Sequence, residues 1–220
     1  MTVRIQPSIL SADFANFQAE FDSISAADGI HVDVMDGHFV PNLTFGLPMV
    51  KRMREITKLP LDVHLMIENV DYWAEQYASL GVFSVTVHLE ACESPARTAL
   101  SIREHGARAG LAIKPKTSLN QALEHIENFD QLLIMSVEPG FGGQSFIDSS
   151  LDKVLEAKSA LEKIGKAIWL QIDGGVDESN IAKISAAGVD TFVAGSAVFK
   201  AVNRNEQIKL LRSLAESGKQ

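Results

Sequence analysis

Four side chains that can bind a metal ion or move protons stand at the ends of three predicted strands. The segment Gly29–Asn42 reads GIHVDVMDGHFVPN, and His31 and Asp33 lie two residues apart in it. Because successive side chains on a strand point to opposite faces, these two polar groups share one face. His64 ends a second strand-like run, LPLDVHLM, and Asp173 ends a third, KAIWLQID. Two imidazoles and two carboxylates are a donor set for zinc, iron, cobalt or manganese rather than for magnesium or calcium.

The competing interpretation of each histidine is a buried core residue with a hydrogen-bond partner. It is favoured for any one histidine alone, and no local metal-binding pattern such as H-E-x-x-H occurs. An unpaired buried carboxylate costs on the order of several kcal/mol, however, so four polar residues at one barrel mouth favour a metal site. Asp62 shares the inward face with His64 and is a candidate hydrogen-bond partner for a ligand. His88 is expected to be structural or to lie behind the ligands, whereas loops or helix surfaces are predicted for His38, His105 and His125.

Glycine clusters follow the sixth, seventh and eighth predicted strands. Glycine lets backbone N–H groups approach an anion closely, and a phosphate site after the last two strands recurs in barrels. Tight turns between strand and helix explain any one cluster equally well, but three adjacent clusters favour phosphate binding. Three methionines at strand ends, Met35, Met66 and Met135, are either core filler or an apolar cap over a bound substrate. The clusters are Gly140, Gly142 and Gly143, then Gly174 and Gly175, then Gly195 with Ser196.

The elements that position these residues alternate between strand and helix along the whole chain. Eight such units with short connections predict parallel strands and a (β/α)8 barrel, an α/β fold. A doubly wound open sheet is the alternative, but the first turn reads PSILSADF and lacks G-x-G-x-x-G. The predicted strands cover residues 4–10, 29–35, 59–66, 82–90, 107–113, 131–137 and 166–173, and the eighth begins at 189. The predicted helices cover 11–27, 48–57, 71–80, 95–105, 117–127, 149–164, 179–187 and 205–217.

Length and composition restrict the class of protein. The 220 residues fit one domain, residues 1–220, with 46% hydrophobic and 22% charged residues. A net charge of −8 argues against nucleic acid and anionic membranes as partners, although helix starts bind phosphate without lysine. Cys92 is expected to be a structural thiol. With no signal peptide or membrane span evident, we expect a cytoplasmic protein, and we expect a homo-oligomer because barrels of this size commonly associate.

Six motifs together resemble one family. PSILSADF, HVDVMDGHFVPN, DVHLM, MSVEPGFGGQSF, IDGGV and VAGSAVF, in this order, are similar to the ribulose-phosphate 3-epimerase family over about Pro7 to Phe199. The resemblance implies a single-domain TIM barrel of the ribulose-phosphate binding type. It also implies interconversion of D-ribulose 5-phosphate and D-xylulose 5-phosphate in the pentose phosphate pathway, with one bound divalent metal. Zinc is the preferred metal, and iron, cobalt and manganese are the alternatives.

The resemblance assigns roles to individual residues. Asp33 and Asp173 are implied to be the acid/base pair, acting on the two faces of a 2,3-enediolate. The chain departs from the family at Gln171, where glutamate is frequent, and at Lys116, where a small residue is frequent. The implied metal ligands are His31, Asp33, His64 and Asp173. The implied substrate contacts are Ser8, His64, Gly140, Phe141, Gly142, Gly143, Asp173, Gly174, Gly175, Gly195 and Ser196.

Three other functions compete with this one. A sister epimerase for allulose 6-phosphate, with six carbons, shares most of the motifs. A phosphosugar-binding barrel lyase or decarboxylase shares the glycine clusters but usually places a lysine at a strand end, and only Lys114 is near such a position. A phosphosugar-binding protein without enzymatic activity keeps the glycines but has no need of four convergent ligands.

Overall fold

Eight parallel strands form one sheet in the computed structural model of the protein, which describes residues 2–219. Met1 and Gln220, the two ends of the predicted single domain, lie outside the described residues. The strand order is β1-β8-β7-β6-β5-β4-β3-β2. The strands are β1 (Arg4–Gln6), β2 (Ile30–Met35), β3 (Leu61–Met66), β4 (Ser84–His88), β5 (Arg108–Ile113), β6 (Gln131–Met135), β7 (Trp169–Asp173) and β8 (Thr191–Val193).

The sheet closes on itself between β1 and β2 by a minimal contact. A single bridge joins Ser8 to His31, and the N–H of His31 donates to the carbonyl of Pro7 at 3.0 Å. Residues from helices such as Val50 and Met53 share one hydrophobic core with the strand residues Val32 and Val34. The (β/α)8 barrel predicted from the alternation of strands and helices is therefore confirmed.

Helices connect the strands on the outside of the sheet. Short 3₁₀ turns also occur at Ile9–Ser11, Leu89–Ala91 and Ile126–Asn128. Within residues 2–219, none of the helices combines the length and the apolar character that crossing a membrane requires. The helices are α1 (Phe17–Asp22), α2 (Leu47–Ile56), α3 (Val70–Ala78), α4 (Pro95–Glu104), α5 (Leu119–Leu123), α6 (Ser150–Ile164), α7 (Ile181–Ala186), α8 (Ser196–Phe199) and α9 (Arg204–Ser217).

The largest errors of the sequence-based prediction fall in the first unit. The predicted strand over residues 4–10 is wrong after Gln6, because the Ser8 side chain accepts the N–H of Leu10 and starts a 3₁₀ turn. The predicted helix from Ser11 or Asp13 to Ala27 is only six residues long, since Asp13 accepts the N–H of Ala15 and holds a local turn instead.

Smaller errors occur in two later units. The predicted helix 117–127 is interrupted after Leu123 and continues as a 3₁₀ turn. The eighth strand covers only Thr191–Val193, and the short helix α8 follows it. The remaining boundaries differ by a few residues, which is the normal uncertainty at frayed ends.

Gly110 on β5 allows a close approach between neighbouring strands inside the barrel. Its Cα partner on β4 is Thr86, and a Cβ added at Gly110 would overlap Thr86 Oγ1 and lie 3.0 Å from Thr86 Cβ. Both residues are buried, so the overlap cannot be relieved into solvent. A side chain at this position would overpack the barrel interior.

We therefore expect Gly110→Ala to lower the free energy of unfolding by about 1–3 kcal/mol, the usual cost of overpacking. Urea unfolding followed by circular dichroism measures the change. Gly142→Ala is the matched control, because its added Cβ would meet nothing closer than 3.6 Å. The control should change the free energy of unfolding by less than about 0.5 kcal/mol. Equal stability of both variants would contradict the packing argument.

Candidate metal centre and active site

Three strands bring four candidate ligands together inside the barrel. His31 and Asp33 lie on β2, His64 lies on β3 and Asp173 is the last residue of β7. Asp33 and His64 are Cα partners in the parallel register of β2 and β3, so they stand at the same height. One donor atom from each of the four residues lies within 4.8 Å of the other three donor atoms. The structure thus assembles the four residues that the sequence analysis placed at one barrel mouth.

The spacing of the donor atoms fits a small tetrahedral cation. His31 Nε2 lies 3.4 Å from Asp33 Oδ1 and 3.3 Å from His64 Nδ1. The distance between His64 Nδ1 and Asp33 Oδ1 is also 3.4 Å. Asp173 Oδ2 lies farther away, at 3.9 Å from His31 Nε2 and 3.8 Å from His64 Nδ1. Ligands about 2.1 Å from a tetrahedral metal are separated by roughly 3.4 Å. Two imidazole nitrogens and two carboxylate oxygens therefore fit a divalent cation of the zinc class.

Asp62 orients His31 from behind. Asp62 Oδ2 accepts a hydrogen bond from His31 Nδ1 at 2.8 Å, and a carboxylate can only accept, so Nδ1 carries the hydrogen. Nε2 is then the nitrogen that can offer a lone pair to a cation. Ser84 Oγ donates to Asp62 Oδ1 at 2.5 Å and Gln171 Nε2 donates to Asp62 Oδ2 at 2.7 Å. The role of Asp62, which the sequence left open, is thus that of a hydrogen-bond partner to a candidate ligand.

A layer of buried amides continues this network beneath the site. Gln171 Nε2 also donates to Gln6 Oε1 at 2.6 Å, and Gln131 Nε2 donates to Gln171 Oε1 at 2.6 Å. Gln131 further approaches Thr86 Oγ1 at 3.2 Å. The sequence analysis missed Gln6, Gln131 and Thr86. The available signal was the presence of polar residues on the inward face of parallel strands, which otherwise read as continuous apolar runs.

Opposite charges hold one carboxylate ionised and one imidazole protonated in the metal-free site. Burial by itself raises the pKa of Asp33, but the charge and hydrogen bonds of His31 and then His64 hold that pKa well below its usual range. Burial lowers the pKa of His31, but Asp33 and Asp62 together raise that pKa well above its ordinary value. Ser8 Oγ donates to Asp33 Oδ2 at 2.5 Å and adds to the stabilisation of the carboxylate.

The pKa shifts of the other two candidate ligands favour their neutral forms. Burial, followed by repulsion from Asp33, raises the pKa of Asp173 from 3.8 to about 7. Burial is also the main reason why the pKa of His64 lies below its ordinary value. A cation at the centre would favour the ionised Asp173 and the deprotonated His31, so metal binding should release protons.

One cavity joins the carboxylates to the glycine clusters. Asp33 and Asp173 form part of its wall, and so do the three strand-end methionines Met35, Met66 and Met135. His64 does not line the cavity, because its side chain is fully buried. The other predicted substrate contacts line it: Ser8, Gly140, Phe141, Gly142, Gly143, Gly174, Gly175, Gly195 and Ser196.

Gly175 has to be glycine for two reasons. Its φ of +65° lies in the left-handed region, where a residue with a side chain is strained. A Cβ at this position would also lie 2.8 Å from the carbonyl of Gln144 and against the N–H of Phe146. The loops after β6 and β7 can pack backbone to backbone only because a side chain is absent here.

Several other residues that the sequence analysis noted have structural contacts. Asp36 braces the loop after β2 by accepting the N–H groups of His38, Phe39 and Glu68 at 2.8–2.9 Å. Lys114 Nζ lies 3.7 Å from the centre of the Phe39 ring and does not line the cavity. His38 and His105 are exposed on the surface. The Sγ atom of Cys92 lies 3.4 Å from Asp71 Oδ1.

Known proteins match the chain over almost its whole length. A family model described as the ribulose-phosphate 3 epimerase family matches residues 4–199. The ribulose-phosphate 3-epimerase of Mycobacterium leprae (strain TN) is 49% identical over 211 residues, which cover 96% of this chain and 94% of that protein. Ribulose-phosphate 3-epimerase 1 of Cupriavidus necator is 47% identical over 205 residues, covering 90% of this chain and 85% of that protein.

A solved structure supports the fold independently. The 3-keto-L-gulonate-6-phosphate decarboxylase of Vibrio cholerae superposes with a TM-score of 0.75, and the match covers 98% of each chain. Its sequence identity is 17%, so this likeness concerns the barrel alone.

The raised pKa of Asp173 predicts how the stability of the metal-free protein depends on pH. The unfolded chain loses this proton near 3.8, whereas the folded protein keeps it up to about 7. The folded state binds the extra proton in this window, so the contribution of Asp173 to stability falls as the pH rises through it. Asp173→Asn should remove that slope. The free energy of unfolding of the variant, relative to the unmodified protein, should increase from about pH 5 to about pH 7.

Urea unfolding of both metal-free proteins at several pH values measures this difference. Parallel pH profiles of the two proteins would contradict the assignment. Added Zn²⁺ should abolish the difference in slope, because a bound cation favours the ionised carboxylate.

Proposed function

The chain belongs to the ribulose-phosphate 3-epimerase family and is an epimerase, and from that premise we propose that it interconverts D-ribulose 5-phosphate and D-xylulose 5-phosphate. One observation supports this substrate pair and mechanism most directly. Asp33 and Asp173 both line the cavity that the glycine clusters surround, and both direct an oxygen to the same group of donor atoms. Two carboxylates at one cavity are what an inversion at C3 requires.

The proposed reaction moves two protons. The carboxylate of one aspartate removes the C3 proton from one face of the ketose phosphate, and the electron pair passes into a planar 2,3-enediolate. The carboxylic acid of the other aspartate returns a proton to the opposite face of C3, and the two aspartates exchange roles in the reverse reaction. In the metal-free site the pKa of Asp33 is held well below its usual range and the pKa of Asp173 is raised to about 7, so the two carboxyl groups differ in proton affinity as a base and an acid must.

The proposed cofactor is one divalent cation, with zinc preferred. His31 Nε2, Asp33 Oδ1, His64 Nδ1 and Asp173 Oδ2 would hold it. When bound, it supplies Lewis-acid stabilisation of the negative charge that develops on the substrate oxygens. The residues themselves align the reacting carbon, keep the carboxylates apart from bulk water and carry the protons.

The phosphate group would be bound by the backbone. Among the described residues that line the cavity, none is lysine or arginine, whereas six are glycine. Backbone N–H groups in glycine-rich loops bind phosphate without a cationic side chain. We assign the phosphate to the side of the cavity formed by Gly142, Gly143, Gly175, Gly195 and Ser196. The three methionines would then cover the sugar carbons near the metal.

Asp33→Asn and Asp173→Asn should each lower kcat by at least about 10²–10⁴-fold, because each removes one proton-transfer group. Assays should contain saturating Zn²⁺, so that a weakened site is still filled. Asp152→Asn is the control, because it makes the same chemical change at an exposed position on α6. Near-normal turnover in either active-site variant would remove that residue from the acid/base role.

Exchange in deuterated water distinguishes the two carboxylates. Each variant keeps one base, so it should exchange the C3 proton of only the epimer that presents this proton to the remaining carboxylate. The two variants should therefore label opposite epimers, which NMR detects. Labelling of the same epimer by both variants would refute the arrangement with one aspartate on each face.

Exhaustive chelation should abolish turnover, and added Zn²⁺ should restore it, because the enediolate is too unstable without a Lewis acid. Metal content should be measured on the same samples, and circular dichroism should show an unchanged fold. Full activity of protein without detectable metal would contradict the proposed cofactor.

Comparing kcat/KM for D-ribulose 5-phosphate with that for D-allulose 6-phosphate tests the five-carbon assignment, and a preference for the six-carbon sugar would overturn it.

A further inference from the structure

A second pair of side chains, His88 and Glu90, lies behind the candidate ligand His64. His88 Nε2 is 2.9 Å from His64 Nε2, and His88 Nδ1 is 3.1 Å from Glu90 Oε2. His88 is fully buried, and the Glu90 side chain is 21% exposed. The pair forms a continuous chain of hydrogen bonds that leads away from the site.

The chemistry of the groups fixes the direction of this chain. His64 Nδ1 faces His31 Nε2 and Asp33 Oδ1, so it has to offer a lone pair if a cation binds there. His64 Nε2 then carries the hydrogen and donates to His88 Nε2. His88 Nε2 is the acceptor, so His88 Nδ1 carries the second hydrogen and donates to Glu90. A carboxylate, which cannot donate, is the appropriate end of such a chain.

Packing and further hydrogen bonds hold the pair in place. The His88 ring meets the His64 ring edge to edge, with the ring planes 24° apart and the centroids separated by 5.0 Å, and its centroid lies 4.9 Å from that of the Phe39 ring. Glu90 Oε1 accepts the backbone N–H of Lys114 at 2.7 Å and also accepts the hydroxyl of Thr117. These two donors occupy one carboxylate oxygen and leave Oε2 for His88.

We propose that His88 and Glu90 are a positioning pair that holds His64 as the Nε2–H tautomer, with Nδ1 free for the metal. The proposal rests on the metal site of the proposed function and adds two residues to it. The pair would orient His64 as Asp62 orients His31. The difference is that the neutral His88 ring lies between His64 and the carboxylate of Glu90, whereas Asp62 contacts His31 directly.

Glu90→Gln is the most informative variant, because an amide can reverse the chain. If the Gln oxygen keeps the Lys114 and Thr117 donors, its NH₂ group faces His88 Nδ1 and forces that nitrogen to accept. His88 Nε2 then carries a hydrogen and donates to His64 Nε2. The hydrogen of His64 must therefore move to His64 Nδ1, which is the atom that would bind the metal. If the amide flips instead, two donors of the loop after β5 lose their acceptor.

Zn²⁺ affinity and the histidine tautomers together test the pair. Glu90→Gln and His88→Leu should each raise the Kd for Zn²⁺ about 10–100-fold in competition with a chelating dye. His88→Gln should restore most of the affinity, because its oxygen can accept from His64 and its NH₂ group can donate to Glu90. Thr117→Val is the matched control. It removes a donor to the same carboxylate without reversing the chain, so its Kd should stay within about threefold of the unmodified value.

The tautomers are read from ¹⁵N NMR spectra of labelled histidines. The Zn²⁺-loaded unmodified protein should show hydrogens on His64 Nε2 and His88 Nδ1, and metal-free Glu90→Gln should shift the His64 hydrogen toward Nδ1. Unchanged Kd values in Glu90→Gln and His88→Leu, or a His88 hydrogen on Nε2 in the unmodified protein, would overturn the proposal. A purely structural role would lower the melting temperature of metal-free His88→Leu and His88→Gln alike, without the rescue of Zn²⁺ affinity.

A failure of the proposed function can be distinguished from a failure of the positioning pair. If the unmodified protein neither binds Zn²⁺ nor inverts the pentose phosphate, the metal-dependent epimerase proposal is wrong. The tautomer spectra of the unmodified and Glu90→Gln proteins still decide whether the pair controls His64.

Discussion

The burial of ionisable groups inside the barrel is the constraint on which the rest of the structure depends. Asp33, Asp62, His31 and His64 are almost completely removed from solvent at the centre of the sheet. Each charge in such a place needs a partner, because an isolated buried charge is far more costly than any gain from packing. The interior is therefore a connected set of donors and acceptors, unlike the apolar side-chain layers that usually fill this fold.

This requirement also fixes the orientation of the two candidate histidine ligands. His31 and His64 each use one ring nitrogen toward the common centre and the other toward a group behind them, Asp62 and His88 respectively. The supporting groups belong to β3 and β4, so the sheet itself fixes the direction of both imidazoles. A cation bound at this centre would replace the partial compensation that protons on His31 and Asp173 provide in its absence.

The sequence predicted the site better than it predicted the local structure around it. Alternation of residues on β2, β3 and β7 was enough to place His31, Asp33, His64 and Asp173 on one inward face, because the period of a strand is two. The same rule failed after Gln6, because the Ser8 side chain competes with the backbone hydrogen bonds between strands and begins a turn. Helix α1 is shorter than predicted for the same kind of reason, since Asp13 bonds to its own backbone.

The sequence by itself determined the barrel, the inward face of each long strand and the family, because all three follow from periodicity and from motifs that are continuous in the chain. Only the tertiary structure decided which donor atom meets which acceptor. Asp62 and Gln171 are 109 positions apart, and Gln131 reaches a partner 40 positions away. His88 and His64 meet because neighbouring strands are staggered around a closed sheet, and that stagger is set by the packing of all eight strands together.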